Sequence, residues 1–176
     1  MVPTLQYEAA RSLIQDGDLL SFVPNDKKIL HVATQKVTKS DYYHSGIAVW
    51  MNTRCGASRL FVCEATRSGR HVIPLSCYRS YRFDVTACPV EFCKFEDNLL
   101  ERVGKVPYGF LDFITVGARN LFGITLKDAN GEICSEVVQK QYSYAGMSMP
   151  SYILSPGELY EYMKACGIQD RVHVVQ

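Results

Sequence analysis

Residues 45–51 read SGIAVWM and residues 60–65 read LFVCEA. Both runs are rich in aliphatic and aromatic residues that sit well on a pleated surface. Residues 52–59, NTRCGASR, are polar and contain a glycine. Two such runs around such a loop predict an antiparallel hairpin. A turn at Ser68-Gly69 leads to a third strand at His71-Val72-Ile73, closed by Pro74. Residues 76–80 suit a short helical turn. Residues 81–88 then alternate in part, with Phe83, Val85 and Ala87 on one side and Arg82, Asp84 and Thr86 on the other. That is the period of a half-buried strand. Upstream, Asp16-Gly17 is followed by DLLSFV at residues 18–23, a further strand.

Helical patterns flank this β-rich block. Residues 4–15 place Leu5, Ala9 and Leu13 on one side of an amphipathic helix. Residues 26–43 show no clear period and suit a loop with one short element near residues 29–33. After Pro89, residues 95–103 have helical spacing, and residues 108–122 suggest a longer, mostly apolar helix. Asn130-Gly131 marks a turn. Residues 132–144 form the next helical pattern, with Ile133, Val137, Val138 and Gln141 in one sector. Ser155-Pro156-Gly157-Glu158 carries an N-cap, a first-turn proline and the glutamate of a capping box. Residues 171–175 suit a last short strand. The order predicts one α+β domain over residues 1–176, a mainly antiparallel sheet or partial barrel packed against helices.

Composition narrows the function. The chain has 176 residues, 47% hydrophobic and 21% charged, with a formal net charge of +1. Such a chain can bury a core, and it lacks the concentrated cationic face of the usual nucleic-acid binder. No run of about 18 uninterrupted apolar residues suggests a membrane span. The start, MVPTLQYE, lacks a basic segment followed by an apolar run. It does not read as a secretory signal, so a cytoplasmic location is expected. The seven cysteines, 55, 63, 77, 88, 93, 134 and 166, are scattered without a CxxC pair. Neither a disulfide framework nor a structural zinc site is expected; Cys88 and Cys93 come nearest to a ligand pair. Most of these cysteines are expected to be small buried apolar residues.

Three positions carry candidate catalytic chemistry, and two tyrosines are candidates for substrate contact. Cys134 lies where a turn passes into a helix. First-turn N–H groups and the macrodipole favour a thiolate there and offer donors to an oxyanion. The plain alternative is a cysteine that only packs. His44 stands immediately before the apolar strand, rigidly placed and suited to a general base; it also suits an ordinary stacked or surface histidine. Glu64 lies inside an apolar strand, where a carboxylate without a partner is costly. On the strand paired with residues 45–51 it can reach His44 and orient it; otherwise it faces out from an edge strand. Among other histidines, His31 lies in irregular sequence, His71 suits packing on a strand, and His173 is the competing base. Eleven tyrosines are spread along the chain. Tyr108, opening the apolar helix, and Tyr43, directly before His44, are the candidates for contact with a substrate.

The order His44, Glu64, Cys134 is the reverse of the usual papain-like order. Asp16-Gly17-Asp18-Leu19-Leu20-Ser21-Phe22 resembles an early GDLxxF strand, and His44-Ser45-Gly46-Ile47 an HxGI strand. Val62-Cys63-Glu64-Ala65 resembles an xEA strand, and residues 69–75 the strand that follows it. Pro107-Tyr108-Gly109-Phe110 resembles a segment before the nucleophile, and Ile133-Cys134-Ser135-Glu136-Val137-Val138 a CSExV helix. Together these resemble the circularly permuted papain-like thiol hydrolases of the YaeF/YiiX type. That group is related to NlpC-type cell-wall peptidases and, more distantly, to lecithin:retinol acyltransferase. The resemblance implies Cys134 as nucleophile, His44 as base and Glu64 as orienting residue. It implies no metal or cofactor.

The expected activity is acyl-enzyme hydrolysis of an amide or ester, in a peptide, isopeptide or cell-wall peptide. A lipid or fatty-amide hydrolase or acyltransferase on the same residues is the alternative, and a non-catalytic binding domain a third. Many bacterial members of the group carry an export signal or lipid anchor. The start of this chain suggests instead a viral or phage source.

Overall fold

Alternation along the strands decides how the sheet is dressed. The computed structural model describes residues 1–25, 40–107, 109 and 132–176. Among these residues seven strands form one sheet: β1 (Thr4–Gln6), β2 (Leu19–Val23), β3 (His44–Asn52), β4 (Ser58–Thr66), β5 (Gly69–Pro74), β6 (Arg82–Thr86) and β7 (Asp170–Val175). Their order is β1-β7-β6-β2-β3-β4-β5. The β1–β7 pair is parallel and the others are antiparallel. Leu20, Phe22, Ala48, Val62, Phe83 and Val85 fill one core together with Tyr7, Ala10 and Ile14. Leu19, Ile47, Val49, Cys63 and Ala65 fill a second, against helical residues. Each fully buried Leu, Ile, Val or Phe side chain among them contributes about 1.5–3 kcal/mol. A slip of one residue would exchange the two sets, so the period of two pins the register.

The described helices are α1 (Tyr7–Ala10), α2 (Glu96–Glu101), α3 (Cys134–Tyr144) and α4 (Pro156–Ala165). Helix α3 contains neither glycine nor proline and lays Val137, Val138 and Tyr142 on the sheet beside Leu19 and Ile47. It starts abruptly because Ile133 is extended, at φ −95° and ψ 167°, and its N–H donates to the Glu136 carboxylate at 3.3 Å. It ends where Gly146 turns to φ +100°, with Met147 N–H on Tyr142 O and Gly146 N–H on Ser143 O. That left-handed residue closes the last turn. Helix α4 has the expected capping box: Glu158 N–H donates to Ser155 Oγ at 3.3 Å, and Ser155 N–H to Glu158 Oε2 at 2.7 Å.

The turn before β2 explains Asp18. Gly17 takes φ +83°. Asp18, fully buried, accepts from Gln15 N–H at 2.8 Å and Cys88 N–H at 2.9 Å, with Arg171 Nε 2.8 Å away. Burial nevertheless raises its carboxyl above the usual range, since desolvation outweighs these partners. Asp18 thus ties the entry of β2 to the ends of β6 and β7.

The hairpin of residues 45–51 with 60–65, the third and fourth strands and the C-terminal strand form as expected. Two expectations are corrected. Residues 4–15 are not one helix: Thr4–Gln6 pair with His173, Val174 and Val175 of β7, and only short helical turns follow. Backbone pairing at a sheet edge overrides the weak periodic signal, and Leu13 stays 39% exposed. Nor are most cysteines buried. Cys55, Cys77, Cys93 and Cys166 are exposed, and only Cys63 and Cys134 are buried. The expected elements at residues 29–33 and 108–122, His31 and Tyr108 lie outside the described residues.

Candidate active site

His44 is the first residue of β3 and sits opposite Phe22 in the β2–β3 ladder. Its ring is flanked by Phe22, with centroids 5.5 Å apart, by Tyr43 at 5.9 Å, and by Tyr78 at 6.3 Å in a stacked pose. This aromatic surround leaves His44 8% exposed. Glu64 lies two positions before the end of β4 and is 1% exposed. Its Oε2 is 2.7 Å from His44 Nε2. A carboxylate fixes the tautomer of a neighbouring imidazole, leaving the far nitrogen, Nδ1, for another partner.

The thiol of Cys134 also hydrogen-bonds the His44 ring. Helix α3 packs along β3 and β4, so its first residue arrives at the start of β3. The N-cap residue, Ile133, has no side-chain acceptor to occupy the first-turn N–H groups. Burial works against the charged ring of His44. The negative charge and hydrogen bond of Cys134, then those of Glu64, outweigh it and push His44 up to about 10. Glu64 is likewise opposed by burial, but His44 and Tyr78 hold it below its usual value. Cys63, next in sequence to Glu64 but on the opposite face, has its thiol pushed up to about 12 by burial.

The structure brings together Cys134, His44 and Glu64, and sets Tyr43 against the His44 ring. His173 is not part of this group: its Nδ1 lies 2.6 Å from Asp84 Oδ1 on the β6–β7 pair. Two residues not picked out for the site join it. His71 Nε2 lies 3.1 Å from Glu64 Oε1, and the Tyr78 hydroxyl donates to both Glu64 oxygens at 3.0 Å. The β4–β5 turn falls at Arg67-Ser68, one residue before the expected Ser68-Gly69, and this register sets His71 opposite Glu64; a turn at Ser68-Gly69 would have set Ile73 there. Tyr78 sits on a short 3-10 turn that carries no comparable pattern.

A buried charge cluster stands beside the helix start. Arg70 Nε donates to Glu132 Oε2 at 3.0 Å, Arg70 Nη2 donates to the same oxygen, and Arg70 Nη1 reaches Leu99 O at 3.3 Å. Arg102 and Lys140 face the other oxygen at 3.3 and 3.7 Å. This anchors the segment entering α3 to β5, two residues before Cys134.

No protein-family model matches the chain, and no curated protein matches it. Among solved structures, the fold is similar to the crystal structure of metalloprotein yiiX from Escherichia coli O157:H7. The two share 26% sequence identity with a TM-score of 0.55, over 77% of this chain and 68% of that one. The chain therefore has a yiiX-like α+β fold, with an open seven-stranded sheet. No helix among the described residues is long and apolar enough to cross a membrane.

Proposed function

We propose that this chain is a cysteine hydrolase that cleaves an amide or ester bond through an acyl-enzyme. The observation that carries the reading is the imidazole of His44, bonded to Glu64 through Nε2 at 2.7 Å and hydrogen-bonded to the Cys134 thiol. A positively charged ring beside the sulfur favours the thiolate, the nucleophilic form. In the proposed reaction Cys134 Sγ attacks the substrate carbonyl carbon. The carbonyl oxygen takes up negative charge beside the N–H groups at the start of α3. The tetrahedral intermediate collapses as His44 gives its proton to the departing amine or alcohol, leaving a thioester on Cys134. His44 then takes a proton from water. The resulting hydroxide attacks the thioester carbonyl, and collapse of the adduct releases the acid and expels the sulfur as thiolate, restoring the thiolate–imidazolium pair. Glu64 keeps the His44 ring aligned and stabilises its charged form throughout. The proposed substrates are peptide, isopeptide or cell-wall peptide bonds.

The yiiX protein is described as a metalloprotein. Among the described residues of this chain, no three His, Cys, Asp or Glu side chains are grouped to hold a metal. His44 and His71 both direct Nε2 at Glu64.

Alkylation by iodoacetamide across pH, resolved site by site by mass spectrometry, tests the proposal. The exposed Cys55, Cys77, Cys93 and Cys166 are internal references. Cys134 is expected to label fastest at mildly acidic pH and to slow in His44→Ala. Labelling of Cys134 no faster than the references, or unchanged by His44→Ala, refutes the reading.

A further inference from the structure

Glu64 has more partners than one orienting bond needs. Its Oε2 faces His44 Nε2 at 2.7 Å and its Oε1 faces His71 Nε2 at 3.1 Å. The Tyr78 hydroxyl is 3.0 Å from each oxygen. The second imidazole arrives by sheet register, since Glu64 and His71 are direct partners in the β4–β5 ladder. Its own ring is pinned at the other end, with Nδ1 3.0 Å from Gly69 O. Carbonyl and carboxylate oxygens only accept, so both ring nitrogens of His71 face acceptors.

The last torsion of a glutamate is soft and roughly two-fold. A bond from His44 to Oε2 leaves the carboxylate free to twist about it. Tyr78, equidistant from both oxygens, restrains its position more than its twist. Of the two imidazoles, His44 faces Oε2 and His71 faces Oε1, so His71 supplies the bond that fixes the other end of the carboxylate. We propose that His71 is a positioning residue: by holding Oε1 it sets the plane of the Glu64 carboxylate and, through it, the ring of His44. The inference rests on the reading of Cys134, His44 and Glu64 as a working triad.

The test uses the full chain with His71→Ala, His71→Gln, Glu64→Gln and the double variant His71→Ala/Glu64→Gln. The readouts are the rate of Cys134 alkylation at pH 6, its pH profile and Tm. His71→Ala is expected to slow Cys134 about fivefold, the worth of one hydrogen bond. His71→Gln, which retains a side-chain N–H, is expected to recover most of that rate. The double variant is expected to be no slower than Glu64→Gln alone, because His71 acts only through Glu64. If His71→Ala labels at the wild-type rate while Glu64→Gln is slow, or if the two losses multiply, the role of His71 is overturned and the triad stands. If Glu64→Gln and His44→Ala also label at the wild-type rate, the triad reading falls and takes this role with it. Ring nitrogen-15 spectra of the wild-type chain at pH 6 check the role where folding of a variant is not in question. They are expected to show a bound proton on His71 Nε2, and a bare Nε2 overturns the proposal.

Discussion

Glu132→Gln keeps the shape of a buried side chain and removes only its charge. Glu132 and Arg70 have side-chain exposures of 1% and 0%. Arg70 directs both Nε and Nη2 at Oε2 of Glu132. With the charge gone, the Arg70 guanidinium is a buried cation without a counter-ion. Breaking a buried pair from one side costs about 3–5 kcal/mol. For a chain of this size each kcal/mol moves Tm by about 2–4 °C, so a fall on the order of 10 °C is expected. Arg70→Met should cost less, near the lower end of that range, because Glu132 keeps Arg102 and Lys140 at 3.3 and 3.7 Å. Those two side chains are 40% and 41% exposed, so solvent screens what they give back. The double variant Arg70→Met/Glu132→Leu removes both charges and should lose less than Glu132→Gln alone. Urea unfolding followed by circular dichroism measures all three. A Glu132→Gln variant within about 1 kcal/mol of wild type, or a double variant that loses as much as Glu132→Gln, refutes the account.

Two further outcomes follow from the same side chains. The folded state raises His44 from 6.5 to about 10, so it binds a proton that the unfolded chain releases sooner. The stability this contributes is full below pH 6.5 and is lost as pH rises towards 10; Tm across that window should fall less steeply in His44→Gln than in wild type. A wild-type alkaline limb as flat as that of the variant contradicts the assignment. Gly46→Ala places a Cβ 2.4 Å from Val62 Cγ2 and 3.2 Å from Cys63 O, across the β3–β4 ladder. Overpacking of this kind costs about 1–3 kcal/mol. Val62→Ala in the same chain should restore part of the loss in a thermal melt, and no restoration at all argues against the contact.

The parts of the fold legible in the sequence are those where one local rule acts alone. Residues 45–51 and 60–65 are β-rich apolar runs around a polar loop, buried on both faces, so composition and turn chemistry agree, and β3 and β4 form together. Ser155, Pro156 and Glu158 meet the demands of a helix start without help from elsewhere, and α4 begins there. Residues 4–15 failed because Leu5, Ala9 and Leu13 suit a helix in isolation. The competing claim came from Val174 and Val175, about 170 positions away, which no window along the chain contains. The cysteines failed for a related reason. Burial is decided by the face a residue lands on, so Cys63 on β4 is enclosed while Cys55 in the adjoining loop is not.

The candidate site divides along the same line. Cys134 is legible from the turn-to-helix boundary, and His44 and Glu64 from their places on neighbouring strands. What the sequence withheld is the second half of the surroundings of Glu64. A buried carboxylate needs more acceptor sites filled than one imidazole can fill. That demand is general, and it calls for at least one further donor beside Glu64. A turn at Ser68-Gly69 would put Ile73 opposite Glu64, so the place of His71 follows only from the register that the turn at Arg67-Ser68 fixes. Applying the bonding requirement of the buried group to the ladder partner, rather than judging each histidine by its own neighbours, separates His71 from His173. The first answers the need of Glu64, and the second answers that of Asp84.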